Sequence, residues 1–229
     1  MTKHSFFIAG TDTDAGKTLV STGILEWGNR QGLRTLGLKP VAAGCDETPD
    51  GLRNSDALLL QQAASVKLGY DQVNPVALRP PIAPHIAAAQ AGRALSADRL
   101  AALCRGSMMQ PADLLLVEGA GGWRVPLSSR EMLSRLPQLL ELPVILVVGM
   151  KLGCLNHAVL TAEAIVRDGL QLAGWVANRI DPRMSCYDEN LETLKGMFRA
   201  PLLGEIPHLA EPSAGAAADH LDLSVLLNH

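Results

Sequence analysis

The sequence predicts an α/β fold, with a mostly parallel central β-sheet and helices on both faces. Three observations carry this. Six apolar runs of strand length alternate along the chain with six segments of helical period. The runs are continuously apolar instead of alternating with polar residues, as strands buried on both faces are. The stretch Gly10-Thr11-Asp12-Thr13-Asp14-Ala15-Gly16-Lys17-Thr18 directly follows the first run, Phe6-Phe7-Ile8-Ala9. At 229 residues the chain suits one domain, residues 1–229, with a sizeable core.

The first strand is predicted at 5–9. The loop after it has the character of a phosphate-binding loop. Its glycines let the backbone wrap an anion, and Gly16-Lys17-Thr18 opens a helix whose first N–H groups lack intrahelical partners. Lys17 has the reach for the outer phosphates, and the Thr18 hydroxyl suits Mg²⁺. Five residues separate Gly10 from Gly16, one more than in the common form. A Gly-Lys-Thr tripeptide alone also fits an ordinary loop before a helix. The strand before it, and the helix predicted at 18–30 with Leu19, Val20, Ile24 and Trp27 as its apolar positions, favour a single-domain P-loop fold.

The second strand, 35–39, ends in Lys39. Read alone, Lys39 is either a snorkelling surface lysine or a cation beside the phosphates. A helix is predicted at 55–64, where Asn54 or Ser55 caps and Asp56 is a first-turn acid favoured by the dipole. A further helix is predicted at 96–107. The strand at 114–118 ends in Glu118, followed by Gly119-Ala120-Gly121-Gly122. A carboxylate at that place is the position of a Mg²⁺ ligand; the plainer reading is a capping carboxylate before a turn.

Beyond a helix predicted at 131–140 comes the strand at 144–148. Glycines and an Asn then open the next helix, at 156–168, making either a nest of N–H groups suited to a carboxylate or a plain cap. Asn178 follows the strand at 172–177, as a turn residue or as an amide for the edge of adenine. A helix at 188–198 leads to the last strand, 202–206, after which Pro207, His208 and Leu209 can wall a base pocket. Ligands of such sheets bind at the carboxyl ends of the strands, where these residues fall.

Composition excludes several classes. A net charge of −3 and the lack of a basic stripe argue against nucleic acid or an anionic membrane surface as partner. The longest apolar run, near 143–149, is too short to span a bilayer. The start, Met1-Thr2-Lys3-His4, lacks a signal-peptide profile, so the cytoplasm is the expected compartment. Cys45, Cys104, Cys154 and Cys186 form no C-x-x-C pair, against a zinc site or a disulfide framework.

Seven blocks together resemble the dethiobiotin synthetase family, in family order over nearly the whole chain. They are G-T-D-T-D-A-G-K-T from Gly10, L-K-P-V-A-A-G from Leu38, G-L-R-N-S-D from Gly51, V-E-G-A-G-G from Val117, V-V-G-M-K-L-G-C-L-N-H from Val147, G-W-V-A-N from Gly174 and L-G-E-I-P-H-L from Leu203. The spacing of the phosphate loop is itself a family trait.

The resemblance implies an ATP- and Mg²⁺-dependent reaction on 7,8-diaminopelargonate and CO₂ or bicarbonate. A carbamate forms on one amine and takes the γ-phosphoryl group of ATP. The second amine then closes the ureido ring and expels phosphate. By resemblance, Lys39, Lys17 and Thr13 are catalytic, and Thr18, Asp56 and Glu118 hold the metal. Asp14, Ala15, Gly16, Lys17, Thr18 and Leu19 bind nucleotide, with Asp56, Glu118, Gly119, Ala120, Gly121, Asn178, Arg179, Pro207, His208 and Leu209. Thr13, Lys39 and Ala43 face the diamine. A homodimer is implied, in which Gly153, Cys154, Leu155 and Asn156 reach across to the substrate carboxylate. Two residues depart from the family pattern: Ala43 stands where a serine is frequent, and Asp14 where a glutamate is common.

The alternative in another class is a deviant-loop switch ATPase of the same superfamily. Such proteins carry an early loop lysine, and Thr11-Asp12-Thr13 has none. The apolar segment 221–227 also lacks a basic face. An ammonia-drawing synthetase is disfavoured because no glutaminase domain is expected before the end at His229.

Overall fold

A computed structural model describes residues 3–227. Its centre is a six-stranded sheet in the order β10-β9-β8-β1-β7-β2, every neighbouring pair parallel. The strands are β1 (His4–Gly10), β2 (Thr35–Leu38), β7 (Leu114–Glu118), β8 (Val144–Gly149), β9 (Leu172–Asn178) and β10 (Leu202–Ile206). These are the six runs predicted from sequence.

The period of two along each strand explains why the runs are apolar throughout. Phe7, Ala9, Leu115, Val117, Leu146 and Val148 feed the core on one face. Their chain neighbours Phe6, Ile8, Leu114, Leu116, Ile145 and Val147 feed the core on the other. The first face is covered by helices α5 (Ala97–Met108), α6 (Arg135–Leu140), α7 (Cys154–Arg167) and α8 (Tyr187–Met197). The second is covered by α1 (Lys17–Arg30), α2 (Ser55–Ala63) and α9 (Ala214–Ala218). A Cβ on Gly23 would lie 2.7 Å from Ala217 Cβ, so α1 and α9 meet more closely than any larger residue allows.

Two helix starts differ from expectation by more than one residue. α6 begins at Arg135 instead of 131. Starting there puts Pro137 in the first turn, whereas an earlier start would set its ring against the preceding turn. α7 begins two residues early, at Cys154, because Gly153 takes φ 93° and caps it.

The short elements have no counterpart among the sequence-based expectations. They are the parallel pair β3 (Val41–Ala43) and β6 (Val76–Leu78), the hairpin β4 (Asp46–Thr48) and β5 (Gly51–Arg53), and helices α3 (Tyr70–Val73), α4 (Pro84–Gln90), α9 and α10 (Ser224–Leu227). Strands of three residues carry too few alternations to show a period. β1 lies between β7 and β8, whose chain connections run to opposite sides of it, which opens a crevice at the carboxyl ends of the strands.

Candidate active site

The phosphate loop leaves β1 and is pinned on two sides. Thr11 N–H donates to the Val147 carbonyl at 3.0 Å, and Asp12 Oδ1 accepts the Thr13 N–H at 2.8 Å. Asp14 takes φ 59° and Gly16 φ 86°, both left-handed. Asp is among the few side chains that tolerate this conformation, which suits it at position 14. From Gly16 the chain enters α1 at Lys17, whose ammonium donates to the Asp12 carbonyl at 3.2 Å. Burial lowers the Lys17 pKa, the charge of Lys39 lowers it further, and nearby carboxylates only partly compensate.

Lys39 is not a snorkelling surface lysine: it is 4% exposed. Its ammonium lies 2.6 Å from Glu118 Oε1, 3.0 Å from Asp56 Oδ2 and 3.3 Å from the Gly119 carbonyl. The Thr18 hydroxyl donates to the same Glu118 oxygen at 2.8 Å. Burial pulls the Lys39 pKa down, but Glu118 and Asp56 outweigh it and leave it above the ordinary lysine value. Asp56 stands in the first turn of α2, which Asn54 caps through its side-chain oxygen. Asp56 is thus a first-turn acid of α2 that also meets the Lys39 ammonium.

The donor set fits Mg²⁺. Glu118 Oε2 is buried with no hydrogen-bond partner among the described residues, a costly state for a carboxylate oxygen. Thr18 and Asp56 supply hard oxygens beside it. Among the described residues no group of three or more His, Cys, Asp or Glu is arranged to hold a metal ion. Mg²⁺ ordinarily keeps waters and phosphate oxygens in such sites.

Of these groups Lys17, Thr18, Lys39 and Asp56 line a cleft of about 700 Å³, whereas Ala15, Glu118 and Gly119 do not. Thr13, Asp14, Gly16, Lys17, Thr18, Leu19, Lys39, Ala43, Asp56, Ala120 and Gly121 all line it. The opposite wall is apolar, and sequence reasoning left it unassigned. Pro81, Ile82, Ala83 and Pro84 form part of it and lead into α4. Val125 and Pro126 continue it. Their segment is anchored by Arg124, which meets Asp168 through two hydrogen bonds of 2.7 and 2.8 Å, while Trp123 Nε1 donates to the same carboxylate at 2.9 Å.

Other expected site residues lie off this cleft. Asn178 is 4% exposed, and its Nδ2 donates to the Ala15 carbonyl at 2.9 Å, bracing the loop from behind. The Arg179 guanidinium stacks 4.5 Å from the ring centre of Tyr187. Pro207, exposed His208 and Leu209 follow β10. At the start of α7, Gly153 and Asn156 are exposed, Leu155 is half-buried and Cys154 is buried. None of the four lines the cleft.

A family model described as an AAA domain matches residues 4–215. An ATP-dependent dethiobiotin synthetase of Cellvibrio japonicus is 61% identical over 228 residues, covering 100% of both chains. Its counterpart in Pseudomonas aeruginosa strain UCBPP-PA14 is 56% identical and covers 97% of each. The chain belongs to the ATP-dependent dethiobiotin synthetase family.

Solved structures show how widely the scaffold of this synthetase family is shared. The septum site-determining protein MinD of Pyrococcus horikoshii, complexed with Mg-ADP, superposes with a TM-score of 0.55 at 17% identity, covering 97% of this chain and 87% of its own. The signal recognition particle receptor FtsY of Elizabethkingia anophelis, in complex with GDP, gives 0.55 at 12% identity, and the match spans 94% of this chain but 59% of FtsY. At such identities the likeness is one of fold alone. No helix among the described residues is long and apolar enough to cross a membrane.

Proposed function

We propose that this chain, acting as one domain, makes dethiobiotin from 7,8-diaminopelargonate, CO₂ or bicarbonate, and ATP. The observation that carries the reading is Lys39. A buried ammonium held between Asp56 and Glu118, at the mouth of a phosphate loop, is a device for a reaction that develops negative charge between two anions.

The loop N–H groups and Lys17 hold the phosphates of ATP, with Leu19 and the Gly119-Ala120-Gly121 turn around them. Thr18, Asp56 and Glu118 would hold Mg²⁺, which would neutralise phosphate charge. Lys39 stabilises the carbamate oxygen as it takes the γ-phosphoryl group. Thr13 offers a hydroxyl to the diamine end of the substrate, and Ala43 lies on the same side. The apolar wall of Pro81, Ile82 and Val125 suits the polymethylene chain. Asn178 keeps Oδ1 for the adenine amino group, its Nδ2 being engaged by Ala15. Arg179, Pro207, His208 and Leu209 complete the base site.

The substrate carboxylate is assigned to Gly153, Cys154, Leu155 and Asn156 of a second copy. The exposure of Gly153 and Asn156, away from their own cleft, supports a homodimer with shared sites. Use of ATP fits a cytoplasmic enzyme.

The test is phosphate release from Mg-ATP with and without the diamine and bicarbonate, with dethiobiotin followed by mass. Release that requires the diamine and matches dethiobiotin formed is the expected result. Diamine-independent hydrolysis without dethiobiotin overturns the reading and favours a switch ATPase.

A further inference from the structure

Lys39 lies one residue beyond β2, where sheet bonding has ended. Its peptide is nevertheless held on both sides. Its N–H donates to the Val73 carbonyl at 2.8 Å, and its carbonyl accepts from Asn74 Nδ2 at 2.6 Å. Both partners belong to the four-residue helix α3 and its cap, which the Asn74 N–H closes onto the Tyr70 carbonyl at 2.7 Å.

The chain of bonds continues from there. The Tyr70 hydroxyl donates to Asn74 Oδ1 at 3.0 Å and accepts the Asn54 N–H at 2.6 Å. Asn54 caps α2 by accepting the Ala57 N–H at 3.2 Å, and Asp56 stands in that first turn. Tyr70, Asn74 and Asn54 are all buried. The Arg53 guanidinium covers the tyrosine ring at 4.2 Å from its centre.

We propose that Tyr70 and Asn74 are positioning residues, fixing the peptide of Lys39 and the first turn of α2 relative to one another. The proposal rests on the dethiobiotin-forming reading above. Lysine is a long side chain with much rotamer freedom, and Asp56 is 39% exposed at its side chain. Their meeting at 3.0 Å is set by where their backbones begin. A buried hydroxyl that donates and accepts at once admits one arrangement, and small misplacements of reacting groups slow reactions strongly.

Tyr70→Phe separates positioning from packing, because it keeps the ring and its contact with Arg53. In the dethiobiotin assay kcat is expected to fall about tenfold, with Asn74→Ser similar. The double variant should lose no more than the worse single one, because both act through one chain of bonds. Calorimetry should show unchanged affinity for ATP in EDTA, since the loop and Lys17 are untouched, and a smaller gain on adding Mg²⁺. A Tyr70→Phe enzyme with wild-type kcat and wild-type Mg²⁺ gain overturns the proposal, whatever its Tm. So do losses that multiply in the double variant. If the wild type makes no dethiobiotin, the functional reading falls separately, and the Mg²⁺ gain in Tyr70→Phe still decides the positioning claim.

Discussion

Gly16 and Asn178 are fitted to each other: a Cβ on Gly16 would lie 2.0 Å from Asn178 Nδ2, the nitrogen that donates to the Ala15 carbonyl. Space and conformation both demand glycine here, since φ is +86°. Gly16→Ala is expected to destabilise by about 2–3 kcal/mol, from left-handed strain and the displaced amide, and to weaken ATP binding. Adding Asn178→Ala frees the space but not the φ, so about 1–2 kcal/mol should remain. Urea unfolding of the three variants measures this; full recovery in the double variant would show that strain plays no part.

Removing Lys39 leaves Glu118, 1% exposed, without its cation. Lys39→Met is expected to cost about 3–5 kcal/mol of stability. It should also lower dethiobiotin formation by about 10²–10³-fold. The raised Lys39 pKa fixes the pH dependence. Its contribution is fully present below the ordinary value of 10.5 and is lost only as pH rises through the higher folded value. The stability difference between wild type and Lys39→Gln should therefore stay flat from about pH 7 to about pH 9. A difference that collapses in that interval would show that Lys39 titrates there.

Asp113 ties the start of β7 to the start of β2. It accepts two side-chain bonds from Arg34, at 2.8 and 3.0 Å, and the Arg34 N–H at 2.9 Å. These bonds hold its carboxyl far below the ordinary value of 3.8. The stability they give is present above that value and is lost as pH falls through the lower folded one. Asp113→Asn should lower Tm near neutrality and flatten the decline between about pH 5 and about pH 2. Superimposable acid profiles would refute the assignment.

Ala43 ends β3 and lines the cleft, and the family resemblance implies a serine here in other members. One neutral hydrogen bond is worth about 0.5–1.5 kcal/mol, so Ala43→Ser should change kcat/KM by about tenfold or less. A change above about a hundredfold would show that the hydroxyl does more than donate one bond.

Much of this was legible in the chain itself. The six continuous apolar runs are the six sheet strands, because burial on both faces demands apolar residues at every position. The loop from Gly10 to Thr18 declares its chemistry, because wrapping a phosphate requires glycines, free N–H groups and a lysine in sequence order. Pro137 bears on where α6 begins, through the missing N–H and the ring.

Sequence alone left Lys39 between a surface lysine and a phosphate-side cation, and Asp56 between a first-turn acid and a metal ligand. The tertiary structure decided that Lys39 is buried between Asp56, 17 residues away, and Glu118, 79 residues away. It also set residues 81–84 along the cleft and the Asn178 amide against the Ala15 carbonyl of the phosphate loop. A side chain's spacing along the chain reports its own helix or strand, whereas these roles arise between elements that only the packed sheet brings together. Local periodicity thus determined the scaffold and the phosphate loop, and long-range packing determined which charges meet.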